Sequence, residues 1–115
     1  MIEAADPVNY DALDALKSVL GTEFADLILD FRSQMADGMV RLDLALARPD
    51  RDKIKTIAHK LKGSALSLHC KPLADCCAKL ERAAPYEASS ILEVMLEELR
   101  DILRDTLLAI ESWAI

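Results

Sequence analysis

Apolar residues recur every three or four positions through almost all of this chain, and only short breaks interrupt them. That spacing belongs to helices that bury one face. Phe24, Ile28, Phe31, Met35 and Leu42 form one such stripe. Ile91, Met95, Leu99, Ile102, Thr106, Ile110 and Trp113 form another. With only three glycines and four prolines, and few β-branched residues, the chain has little material for sheet and turn.

The breaks set the helix boundaries. A short first helix is predicted over Tyr10–Leu20, ended by Gly21, with Thr22 capping the next. The second covers Glu23–Ala47, with Gly38 as a weak point inside it, and Pro49 stops it. Asp50 is a good N-cap for a third helix that runs to about His69. A fourth begins near Pro72, with Leu73, Cys76, Cys77 and Leu80 facing inward, and ends at Pro85. Ser90 and Glu93 have capping-box spacing for a fifth. Four long amphipathic helices joined by short turns predict an all-α fold, an antiparallel four-helix bundle with the short first helix across one end. A length of 115 residues suits a single domain over 1–115.

Charge narrows the function classes. The formal net charge is −6, and a nucleic-acid binder needs clustered Lys and Arg to neutralise phosphates. The basic residues cluster in one place only: Lys53, Lys55, Lys60 and Lys62. Such a cluster is too small for a duplex and suits one phosphate group. No apolar run approaches ~20 residues, so no membrane span is expected. The first residues lack the basic and apolar regions of a signal peptide. Three cysteines, two of them adjacent, argue for reduced thiols and a cytoplasmic setting rather than a disulfide framework.

The third helix carries the chemistry. At about 100° per residue, Ile54, Ile57, Leu61 and Leu68 gather opposite His59. His59 therefore points away from the core, with Thr56, Gly63 and Lys55 on its side and Lys62 at the edge. Leu66 and Cys70 fall on the same outer stripe. A solvated surface histidine would fit that placement alone. Gly63 and Lys62, each about one turn on, speak for more. The glycine costs helix stability of ~1 kcal/mol relative to Ala and clears space beside the ring. The lysine puts an ammonium near any anion held there. A neutral imidazole has a free ring nitrogen and is a competent nucleophile near neutral pH.

The run Ala58-His59-Lys60-Leu61-Lys62-Gly63-Ser64-Ala65 resembles the motif of histidine-containing phosphotransfer (HPt) domains. Phe31 before it, and Leu73, Cys76, Leu80 and Glu81 after it, resemble the family's spacing, so the likeness spans about Leu27–Arg82. The resemblance implies a phosphorelay intermediate. His59 would receive a phosphoryl group from a receiver-domain aspartyl phosphate and pass it to an aspartate of another receiver. It implies that Lys62 lies near the phosphoryl group, that Gly63 gives a receiver room, and that Glu81 hydrogen-bonds the far ring nitrogen. The implied partners are receiver domains of response regulators and hybrid histidine kinases. No cofactor is expected on the chain, since the Mg²⁺ of transfer belongs to the receiver. No ATP site or autokinase activity is expected, and no Gly-rich phosphate loop is present. A docking surface is expected from Lys55, Thr56, Lys60 and Leu66, with Leu13, Leu16 and Gln34 on the first two helices. A monomer is expected.

The chain departs from the family at His69, where glycine is usual; His69 is expected to close the helix as a cation beside its last carbonyls. Three rivals stand beside the main reading. One is a bundle that binds receivers without transfer. Another is a metal site built from His69, Cys70, Cys76 and Cys77, although adjacent cysteines point about 100° apart on a helix. A thiol hydrolase is the third, but His69 and Cys70 are sequence neighbours and do not face each other.

Overall fold

The computed structural model describes residues 6–114. Among them are five helices: α1 (Tyr10–Leu20), α2 (Glu23–Ala47), α3 (Arg51–Ser67), α4 (Lys71–Ala83) and α5 (Ser89–Ala114). Helix α2 packs on α3, α3 on α4, α4 on α5, and α5 back on α2, which closes the bundle. Helix α1 lies against α2.

The local causes are partly those read from sequence. Asn9 caps α1 by accepting from the Ala12 amide at 3.1 Å. Gly21 ends α1 in a left-handed conformation, φ 58°. Asp50 caps α3 by accepting from the Lys53 amide at 3.1 Å. Two caps differ from expectation. Thr22 has helical backbone angles and its side chain caps nothing, because the Gly21 carbonyl already takes the Phe24 amide. Helix α5 opens at Ser89, which places Ser90 inside the first turn rather than at the cap.

The core is a continuous apolar cluster that includes Phe24, Phe31, Met35, Leu42, Ile54, Leu61, Leu73, Leu80 and Leu99. On α5 the buried line is Leu92, Leu96, Leu99, Leu103, Thr106 and Ile110, and Ile91 is exposed. Positions 91, 92, 95, 96, 99, 102 and 103 are all apolar, so spacing alone could not centre that stripe. The neighbouring helices choose its centre.

Gly38 is a contact point rather than a weak point. A Cβ built on it would lie 2.5 Å from Cδ2 of Leu61 and 2.9 Å from Cδ1. The absent methyl lets α2 and α3 approach closely at that level.

The α3–α4 turn explains the departure at His69. His69 has φ 56°. Its amide donates to the Leu66 carbonyl at 3.1 Å, and the Cys70 amide donates to the Ala65 carbonyl at 2.9 Å. This bond pair is a Schellman ending, with His69 in the position that favours glycine. The backbone closes the helix, and the expected cationic closure is not needed. The chain reverses here, so Cys70 turns inward and is fully buried. Its expected place on the outer stripe assumed a helix running two residues further. The amide of Asn9 bonds the His69 carbonyl at 3.2 Å and ties the segment before α1 to this turn.

Candidate functional site

Helix α3 presents His59 outward while Ile54, Ala58, Leu61 and Ala65 face the core. The His59 side chain is 67% exposed. Helix α4, held beside α3 by Leu73, Cys77 and Leu80, brings up Glu81. One carboxylate oxygen of Glu81 (Oε2) lies 2.9 Å from Nδ1 of His59. The other (Oε1) accepts from the Lys62 ammonium, also at 2.9 Å. His59 and Lys62 are three positions apart on α3, so both reach the same point on α4.

The charge states follow from these bonds. The Lys62 hydrogen bond, and then that of His59, hold the Glu81 carboxyl below the usual carboxylate range against its partial burial. An ionised carboxylate only accepts, so Nδ1 of His59 carries the proton. The lone pair then sits on Nε2, the nitrogen turned from α4. An exposed ring with its tautomer fixed in this way can act as a nucleophile.

Gly63 lies on the same outer surface, and a Cβ built on it would meet nothing within 4 Å. Nothing inside the chain requires a glycine there, in contrast to Gly38. The Ser67 hydroxyl donates to the Gly63 carbonyl at 3.0 Å, and the Ser64 hydroxyl donates to Gln34 Oε1 at 2.9 Å, linking α3 to α2. These two serines were missed in the sequence. For Ser67 the signal was its position four residues after Gly63.

The expected docking residues divide. Lys55, Thr56 and Lys60 are exposed, and Leu66 is 55% exposed. Gln34 is exposed and bonded to Ser64. Leu13 is a correction: it is 0% exposed and belongs to the core under α1, so it offers no docking surface. Leu16 is half-buried against the same core. On so short a helix the stripe read as outward is the one that holds α1 to the bundle.

The thiols do not join a site with His69. Cys70, Cys76 and Cys77 are buried while His69 is exposed. Burial pushes the Cys70 thiol up to about 11 and Cys77 to about 12. Both stay protonated at neutral pH, which is unfavourable for metal ligation. Among the described residues no group of three or more His, Cys, Asp or Glu side chains is placed to hold a metal ion.

An all-helical bundle with an exposed, carboxylate-oriented histidine one turn before a lysine and a glycine defines a class of small histidine-bearing carrier domains. The chain belongs to the Hpt domain family, whose pattern it matches over residues 26–113. Its fold is also similar to the crystal structure of histidine-containing phosphotransfer protein B from Pseudomonas aeruginosa PAO1. The TM-score is 0.82 at 21% identity, over 96% of this chain and 97% of that one. No curated protein is a significant match. No described helix is long and apolar enough to cross a membrane.

Proposed function

We propose that this chain is a phosphorelay intermediate that carries a phosphoryl group on Nε2 of His59. The Nε2 lone pair attacks the phosphorus of a receiver's aspartyl phosphate, an N–P bond forms, and the P–O bond to the aspartate breaks to return a carboxylate. The second transfer reverses these events on another receiver. Glu81 holds the Nδ1 proton throughout and stabilises the ring as it becomes cationic. Lys62 contributes positive charge beside the phosphoryl oxygens. Gly63 leaves room for the receiver, with Lys55, Thr56, Lys60, Leu66 and Gln34 around it as contact surface. The partners are receiver domains of response regulators and hybrid kinases, in the cytoplasm, and the receiver supplies the Mg²⁺. The chain itself is a phosphocarrier without autokinase activity.

The observation that carries this reading is the Glu81 bridge from Nδ1 of His59 to the Lys62 ammonium. It occupies Nδ1, which leaves the outer nitrogen as the nucleophile, and it holds the Lys62 ammonium on the carboxylate that meets the ring. The test is incubation with a radiolabelled, phosphorylated receiver. Acid-labile, base-stable label on the wild-type chain, and none on His59→Gln, is the expected result. If a receiver binds and no label transfers, the chain is an interaction module only. Label arising from ATP alone would overturn the carrier assignment.

A further inference from the structure

Helix α3 carries four lysines: Lys53, Lys55, Lys60 and Lys62. The first three are exposed, whereas Lys62 is tucked toward α4 with its side chain 29% exposed. Among the described residues Lys62 is the α3 lysine that forms an ion pair. Its partner, Glu81, is more enclosed still, with a side chain 18% exposed. The two oxygens of that carboxylate are divided between two donors. Oε1 takes the Lys62 ammonium and Oε2 meets Nδ1 of His59, each at 2.9 Å. Among the described residues Glu81 makes no other side-chain hydrogen bond. The Lys62 bond is also the largest of the causes that keep Glu81 ionised. The ammonium is thus held at the carboxylate behind the ring, on the side of Nδ1, and Nε2 is the nitrogen turned from α4.

We infer that Lys62 is a positioning residue for His59, acting on the free ring through Glu81 to keep the proton on Nδ1 and the lone pair on Nε2; this rests on His59 being the phosphoacceptor. A glutamate side chain turns about several bonds, and the last of them, at the carboxylate, is soft. Held by the ring alone, the carboxylate can pivot, exchange its oxygens or swing toward water. Held at Oε1 as well, it keeps Oε2 aimed at Nδ1. A lysine suits this task because its ammonium is a compact point charge that engages one oxygen and leaves the other for the imidazole. An arginine fork would claim both. The spacing on α3 makes the arrangement possible, since residues three apart lie on one face and reach the same side chain of the neighbouring helix. Charge beside the phosphoryl oxygens acts only once a phosphoryl group is present. Positioning through Glu81 acts on the ring before any phosphoryl group arrives, and the two contributions are therefore separable.

Imidazole ¹⁵N NMR of the whole unphosphorylated chain, in mildly alkaline buffer and with no receiver present, tests this. The wild type is expected to hold the proton on Nδ1. Lys62→Met keeps a long unbranched side chain and removes the charge. Although position 62 makes no bond to the ring, Lys62→Met should move the proton toward Nε2, as Glu81→Ala does. Transfer from a phosphorylated receiver gives the second readout. Lys62→Met and Glu81→Ala should each slow it roughly tenfold, and the double variant should stay within about threefold of Glu81→Ala alone, because both changes disable one device. Independent roles would multiply to roughly a hundredfold. An unchanged tautomer in Lys62→Met, or rate effects that multiply, would each overturn the proposal. Circular dichroism checks that helicity is kept, and Lys62→Ala replaces Lys62→Met if it is not. The tautomer is read without any transfer. A chain that shows the tautomer shift and accepts no label therefore overturns the carrier reading and supports the coupling through Glu81, so the two failures are distinguishable.

Discussion

Glu81 binds His59 at the inner ring nitrogen, with Oε2 2.9 Å from Nδ1, which on the proposed function leaves Nε2 as the nitrogen that reacts. Orientation of this kind is carried by one carboxylate on a neighbouring helix. Glu81→Ala should therefore slow phosphoryl transfer roughly tenfold, equivalent to ~1.4 kcal/mol, at the low end for a hydrogen bond to a charged group. Imidazole ¹⁵N NMR should show the Nε2–H tautomer gaining population. Glu81→Gln, which keeps an acceptor, should recover part of the rate. A slow Glu81→Ala with an unchanged tautomer would refute the orienting role.

Acid should weaken the fold through the same carboxylate. The folded-state pKa of Glu81 lies below its ordinary value of 4.5, because Lys62 and His59 favour the charged form. The folded chain thus binds this proton less readily than the unfolded chain. The stabilisation is complete above the unfolded value and is lost as pH falls through the folded one. Urea unfolding should show wild type more stable than Glu81→Gln at pH 7, with the gap closing in the acid range.

Two glycines on adjacent helices should respond oppositely to alanine. Gly38→Ala forces a methyl against the buried Leu61 and should cost about 1–3 kcal/mol despite the gain in helix propensity. Gly63→Ala meets nothing and should raise stability by up to ~1 kcal/mol. Gly63→Glu should fold equally well and fail to accept label from a phosphorylated receiver. Chemical denaturation beside the transfer assay separates the two effects.

His69 occupies a left-handed position that costs a side chain about 1 kcal/mol. His69→Gly should stabilise the chain by ~0.5–1 kcal/mol, after allowing for the greater freedom of glycine when unfolded. Transfer to His59 should be unchanged. Thermal unfolding by circular dichroism reads the first expectation, and the label assay reads the second.

The thiols should be inert in the native chain. Cys77, pushed up to about 12 by burial first and by neighbouring charge second, has almost no thiolate at neutral pH. Reaction with a disulfide reagent should follow unfolding, and all three cysteines should react together in denaturant.

Much of the helical frame was legible because spacing, Gly21, Pro49 and Asp50 all agree. The bounds of α1 and α2 follow from sequence to the residue. The unread parts depend on distant neighbours. Nothing in the order of residues shows that Leu61 will fill the space beside Gly38, or that α5 will bury Leu92 in preference to Ile91. Leu13 was misplaced because a short helix has apolar residues on more than one side. At the site, the position of His59 was readable from its distance to the isoleucines and leucines. The shared use of Glu81 by His59 and Lys62 was not, since it requires α3 and α4 to be in register. The left-handed turn at His69 was hidden by its side chain, because histidine does not announce a glycine-like backbone.

The notch at Gly38 bears on the site across the helix. Leu61 lies two positions after His59 and one before Lys62, and its branched end fits where Gly38 has no methyl. A key of this shape admits one axial setting, because sliding α3 along α2 drives Leu61 into the side chains at neighbouring levels. The height of the imidazole above the α2 surface is thereby gauged by a buried residue. On the proposed function, an incoming phosphoryl donor would meet a target whose alignment is complete before the encounter begins.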